Sequence, residues 1–68
     1  MYGKRIKELR LEFGLTQKQL ANALQVDFRT VSFWENERFE PNIEQITRLC
    51  KFFSISSDYL LGITDYEL

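Results

Sequence analysis

TQKQLANALQVDFRTVSFWEN, residues 16–36, reads as two short helices joined by a tight turn. Thr16 suits the N-cap of the first, because its hydroxyl can accept from a backbone N–H that the first helical turn leaves unpaired. At about 100° per residue, Leu20, Ala21, Ala23 and Leu24 share one arc, with Lys18, Gln19 and Asn22 on the other side. Ala21 is small where a crossing helix must come close. A turn at Gln25-Val26 leads to Asp27, which caps a second helix closing at Glu35-Asn36. On that helix Val31 and Trp34 face inward, flanked by Thr30 and Glu35, while Phe28, Arg29, Ser32, Phe33 and Asn36 form the outward arc. One helix thus braces the other against a core and leaves a face of the second free. Two large aromatics on that free face ask for a partner.

The flanking sequence supplies three more helices. One runs from about Lys4 to Phe13, with Ile6, Leu9 and Phe13 on one arc, Arg10 at its edge and Leu11 pointing the opposite way. Gly14 supplies a left-handed stop. After Pro41, Asn42 and Gln45 make a capping-box pattern, and Ile43, Ile46, Leu49, Cys50 and Phe53 form the core stripe of the helix they open. Cys50 is then a small apolar core residue, and Phe52 lies across from the stripe. Ser56 caps a last short helix, Asp58 complements its dipole, and Gly62 stops it after Leu60-Leu61. Residues 63–68 read as a frayed tail or the start of a linker, and the whole of 1–68 as a single domain. The expected fold is all-α, with five helices.

Composition narrows the function. An apolar content of 44% over 68 residues is enough for one small core. No apolar run approaches a membrane span, and the charged start is not a secretory signal. The single Cys50 excludes an intramolecular disulfide and suits a reducing, cytoplasmic compartment. With no histidine in the chain, neither Ser-His nor Cys-His catalysis nor a His-based metal site can form, and the carboxylates are scattered among caps and solvated faces. No enzyme, cofactor, metal or small-molecule ligand is expected. The net charge of −1 argues against nucleic acid, whose binders are usually basic. Its distribution softens that objection: residues 1–38 carry seven basic against five acidic side chains, and residues 39–68 two against five. Local field counts for more than the sum.

RIKELR at 5–10, GLTQKQLA at 14–21, TVSFWEN at 30–36, Pro41 and ISSDYLLG at 55–62 stand in the order and spacing of one known group. On these residues the chain resembles the lambda-repressor-like helix-turn-helix family, which contains Cro, the phage repressors and many bacterial regulators. The resemblance implies five packed helices, with the third in the major groove of double-stranded DNA and the second across the backbone. It implies a sequence-specific transcriptional regulator, most often a repressor. Phe28, Arg29, Ser32 and Phe33 occupy the positions that read base edges in the family. An Arg29 guanidinium there can bind guanine O6 and N7, and stacking of Arg29 on Phe33 is the plainer alternative. The two phenylalanines can pack on thymine methyls. Gln17 would direct its backbone amide or its side chain at a phosphate, and Asn36 and Arg38 suit phosphate contact at the end of the third helix. Arg10 and Glu35 look like the family's partly buried ion pair between the first and third helices, and the helical wheels agree.

This chain also departs from the family pattern. Gln25 and Glu37 stand where relatives usually carry glycine, so both segments are expected to adopt a different local geometry. Glu37 also brings a negative charge to where a phosphate backbone would pass. A homodimer would read an imperfect palindrome with half-sites roughly 34 Å apart. Phe52, Tyr59 and the 63–68 tail, apolar and uncommitted to the core, are the candidate self-contacts, against the alternative of a monomer with locally packed aromatics. The rival function uses the same fold as a protein-interaction module, antitoxin- or antirepressor-like. The paired phenylalanines, Glu37 and a pI near 5.3 motivate it.

Overall fold

Side-chain caps set where the helices begin. In the computed structural model, which describes residues 2–64, Thr16 Oγ1 accepts from the Gln19 amide at 3.1 Å, and Gln19 Oε1 accepts from the Thr16 amide at 2.9 Å. Asn42 and Gln45 repeat this reciprocal box at 2.8 and 2.9 Å. Asp27 and Ser56 cap through single bonds to Arg29 and Tyr59. The helices are α1 (Tyr2–Glu12), α2 (Gln17–Leu24), α3 (Phe28–Glu35), α4 (Ile43–Phe53) and α5 (Ser57–Leu60), with no strand among the described residues. The all-α, five-helix expectation holds. α1 starts two residues earlier than its sequence suggests, and its Gly3 lies close against the end of α3. A Cβ at Gly3 would collide with the Trp34 carbonyl oxygen and the Glu37 carboxylate.

All five helices end by one device. The residues Gly14, Gln25, Glu37, Ser54 and Gly62 are left-handed, with φ of 69°, 59°, 61°, 56° and 80°. The next residue then donates its N–H to the carbonyl five positions back: Leu15 to Arg10, Val26 to Ala21, Arg38 to Phe33, Ile55 to Cys50 and Ile63 to Asp58, at 2.9–3.0 Å. This is the Schellman closure, which satisfies carbonyls the last turn would orphan. The expectation that Gln25 and Glu37 would change the local geometry is corrected here. Both keep the left-handed conformation, and the closing hydrogen bonds offset a strain of about 1 kcal/mol each. Ile63 and Thr64 both donate to the Asp58 carbonyl, so the frayed-tail reading does not hold for them. Residues 65–68 of that tail lie outside the described residues.

The core joins Ile6 and Leu9 of α1, Leu20, Ala21 and Leu24 of α2, Val31 and Trp34 of α3, and Leu49, Phe53, Ile55 and Leu60 from the C-terminal half. Three assignments from periodicity need correction. Ile43 is 83% exposed, because it is the first residue of α4 and no neighbouring helix stands opposite that position. Ala23 is exposed, so the buried arc of α2 is narrower than its apolar arc. Phe13, beyond the end of α1, is half exposed and packs edge-on against Phe53 at 4.9 Å. Cys50 is partly buried against the core, and that burial pushes its thiol pKa up. Such a thiol is a weak nucleophile.

Phe52 and Tyr59 are not uncommitted. Phe52 packs edge-on against Phe53 at 5.1 Å and tilted against Phe13 at 6.2 Å. Tyr59 lies under the Arg5 guanidinium, 4.1 Å from its ring centroid. Helical wheels missed the Phe13 and Arg5 contacts because both residues come from the N-terminal segment, remote in sequence.

Candidate nucleic-acid interface

The α2–turn–α3 unit is fixed from both sides. The reversal at Gln25 is closed by Val26 bonding back to Ala21. Arg48 of α4, paired with Glu44 at 2.7 Å, donates through Nη1 to the Leu24 carbonyl at 3.0 Å and so satisfies a further end of α2. Beneath α3, Val31 and Trp34 are buried at 0% and 2% exposure. Burying an apolar side chain of Val31's size contributes roughly 1.5 kcal/mol or more. Rotating α3 about its axis would expose both, so its outward face is set by its inward one.

A polar hub locks the start of α2 and the end of α3 onto α1. Arg10 Nε donates to Glu35 Oε2 at 2.7 Å, Arg10 Nη2 to Glu35 Oε1 at 3.1 Å, and Arg10 Nη1 to the Leu15 carbonyl at 2.7 Å. The two side chains are only 10% and 3% exposed. Gln17 Nε2 donates to the same Glu35 Oε1 at 3.1 Å. One N–H of the Gln17 amide group is thus engaged by Glu35, and its second N–H and the backbone N–H at the start of α2 are not so engaged. Among the described residues no buried side-chain polar atom lacks a partner.

The outward face of α3 carries Phe28, Arg29 and Phe33 exposed and Ser32 partly buried. Each has a local partner. Lys18 of α2 places its ammonium 5.7 Å from the centroid of the Phe28 ring. Phe33 meets Phe39 edge-to-face at 5.1 Å. Arg29 does not stack on Phe33 but forks onto Asp27, with Nε donating to Oδ1 at 3.2 Å and Nη2 to Oδ2 at 3.4 Å. That pairing holds the Asp27 carboxyl below its ordinary pKa and raises the guanidinium's further. Asn36 turns its amide nitrogen back onto the Ser32 carbonyl at 2.9 Å and Ser32 Oγ at 3.3 Å. A contact to phosphate would require it to turn out. Arg38 is exposed just beyond α3.

Glu37 turns its carboxylate toward α1. Its carboxylate rests against Gly3 in the first turn of α1, where a helix N-terminus favours an anion. Burial, then the Glu40 carboxylate and last Glu37, keep the Tyr2 phenol protonated to higher pH than usual. Lys18, Phe39, Gly3 and Arg48 were not singled out from sequence. The Glu44–Arg48 spacing of four was a legible signal for one of them, and the other three act on residues of another segment. No group of His, Cys, Asp and Glu among the described residues could hold a metal ion, and none of their helices is long and apolar enough to cross a membrane.

The helix-turn-helix family model matches residues 6–60, from the core of α1 to the last buried leucine. The chain belongs to the lambda-repressor-like helix-turn-helix family. Within that family it is 37% identical over 60 residues to the HTH-type transcriptional regulator ImmR of Bacillus subtilis, covering 88% of this chain and 47% of ImmR. It is 38% identical over 61 residues to the HTH-type transcriptional activator BcrR of Enterococcus faecalis, covering 90% of this chain and 30% of BcrR. The chain thus spans less than half the length of these two relatives. Among solved structures it is similar to the P22 c2 repressor in complex with synthetic operator 9T, with a TM-score of 0.83 and 33% identity over 88% of this chain and 91% of that one.

Proposed function

We propose that this chain is a sequence-specific DNA-binding transcriptional regulator whose α3 enters the major groove of an operator. The observation that carries this reading is the orientation of α3: Val31 and Trp34 are held in the core, so Phe28, Arg29, Ser32 and Phe33 emerge side by side. Arg29, Ser32 and the two phenylalanines supply base-edge contacts, with the rings suited to thymine methyls. The Gln17 backbone amide, Arg38 and a turned-out Asn36 supply phosphate contacts that set register without reading sequence. Lys18, the residue after Gln17, adds a cation on the same side as Phe28. Likeness to a repressor bound to its operator supports this reading, and repression is the mode we favour. Blocking a site requires only occupancy, and catalysis has no part in it.

A fluorescence-anisotropy titration against randomised duplex at two salt concentrations tests the proposal. Binding that weakens steeply with salt is expected, because phosphate neutralisation releases counterions. Absence of any salt-dependent binding at low salt would overturn it. The rival use of the fold, as a protein-interaction module, draws on the exposed Phe33–Phe39 pair at the rim of the same face. It is separated by Phe33→Ala, which should weaken a protein partner and leave DNA binding unchanged under that reading alone.

A further inference from the structure

Asp27 does two things at once. Its Oδ1 accepts the Arg29 backbone amide at 2.8 Å, capping α3, and both its oxygens take the Nε and Nη2 edge of the Arg29 guanidinium. A guanidinium has five N–H donors in a fixed planar fork. With the Nε–Nη2 edge held by Asp27, one complete two-donor edge remains, formed by Nη1 and the outer hydrogen of Nη2. We infer that Asp27 is a positioning residue for base readout: it holds Arg29 so that this end-on Nη1–Nη2 edge faces the groove, which selects guanine at one operator position.

Three arguments support this. Guanine offers two acceptors, O6 and N7, in the major groove, and adenine offers one acceptor beside a donor, so a two-donor edge discriminates between them. The pair is exposed, with the arginine side chain at 71% and the aspartate at 51%. A pair so solvated contributes little to folding, and its influence is on where the arginine points. Anchoring also removes rotamer freedom before DNA arrives, so less is lost on binding. The inference rests on the DNA-binding reading above and goes further by naming the residue that orients the base reader and the donor edge it leaves free.

The test begins with the 68-residue chain and a randomised duplex pool to define the preferred site, followed by affinities for every single-base variant at one salt concentration. Wild type is expected to prefer guanine at one position by on the order of tenfold or more, and Arg29→Ala to abolish that preference. Asp27→Asn keeps the cap, because asparagine caps as well as aspartate, but its amide cannot take a guanidinium fork. It is expected to flatten the preference at that same position severalfold, even as loss of a negative charge near DNA strengthens binding to all sequences alike. In an Arg29→Ala background, Asp27→Asn should leave the base preferences unchanged. Urea unfolding of each variant confirms that the fold persists. If Asp27→Asn only shifts all affinities by one factor, or sharpens the guanine preference, the inference is overturned. If wild type binds no DNA at all, the functional proposal falls and this falls with it, and the two failures are told apart by which protein shows them.

Discussion

Two arginine–carboxylate pairs stand at the two ends of α3, one joining it to α1 and one local to its first turn, and they differ sharply in solvent exposure. Arg10 and Glu35 meet at 2.7 Å with side chains 10% and 3% exposed, and the Leu15 carbonyl and Gln17 amide add one hydrogen bond to each of them. Arg29 and Asp27 meet at 3.2 Å with side chains 71% and 51% exposed. The first pair is shielded from water, so losing one partner strands a charge. In the second, water can replace either partner at little cost. Chemistry that is nearly the same therefore serves architecture in one place and leaves a donor edge available to a ligand in the other. Burial decides which.

The strongest way to break this contrast is to remove Glu35. Glu35→Ala should lower the unfolding free energy by about 3–5 kcal/mol in urea titration, a large share of what a domain this small possesses. A loss below about 1 kcal/mol would mean that the inner pair is as screened as the outer one. Replacing both partners together, Arg10→Met with Glu35→Leu, should recover much of the stability, since no charge is then left unpaired.

Removal of the outer arginine is expected to act on DNA and not on folding. Arg29→Ala should remove roughly 1–3 kcal/mol of discrimination at one base pair. Its unfolding midpoint should move by no more than a surface substitution typically causes. A large loss of stability would erase the distinction between the pairs.

Smaller effects sharpen it. Gln25→Gly, in the turn between α2 and α3, should raise stability by up to about 1 kcal/mol, because the left-handed strain disappears while the closing hydrogen bond stays. Melting temperature measures this, and base preference should not change. At the bottom of the scale, Asp27→Asn should leave unfolding within about 0.5 kcal/mol of wild type, whereas Asp27→Ala should lose about 1 kcal/mol with the cap. The gap between those two variants separates Asp27 as a cap from Asp27 as the arginine's partner.

Local signals carried most of the fold. The caps at Thr16, Asp27, Asn42 and Ser56 sit where side-chain chemistry puts them, since an N-cap needs only its own residue and one two or three positions on. The inward placing of Val31 and Trp34 followed from period alone. The same reasoning failed at Ile43 and Ala23, because a wheel gives direction around an axis and not whether another helix stands opposite. It also failed at Gln25 and Glu37, where backbone hydrogen bonds overrode residue preference. At the site, sequence placed Phe28, Arg29 and Phe33 outward but could not assign their partners Lys18, Asp27 and Phe39.

The sequence by itself determined five helices, four of them with their N-caps, the apolar stripes that bring α2 and α3 together, and the set of side chains left outside. These depend on residues within a turn or two of one another, whose geometry the helix repeat fixes. Only the tertiary structure decided that Gln17 faces Glu35, that Glu37 rests against Gly3, and that Phe13 packs against Phe52 and Phe53. Those contacts join atoms distant along the chain, and they exist because burying the common core brings the helices close enough for a short list of polar and aromatic groups to find partners.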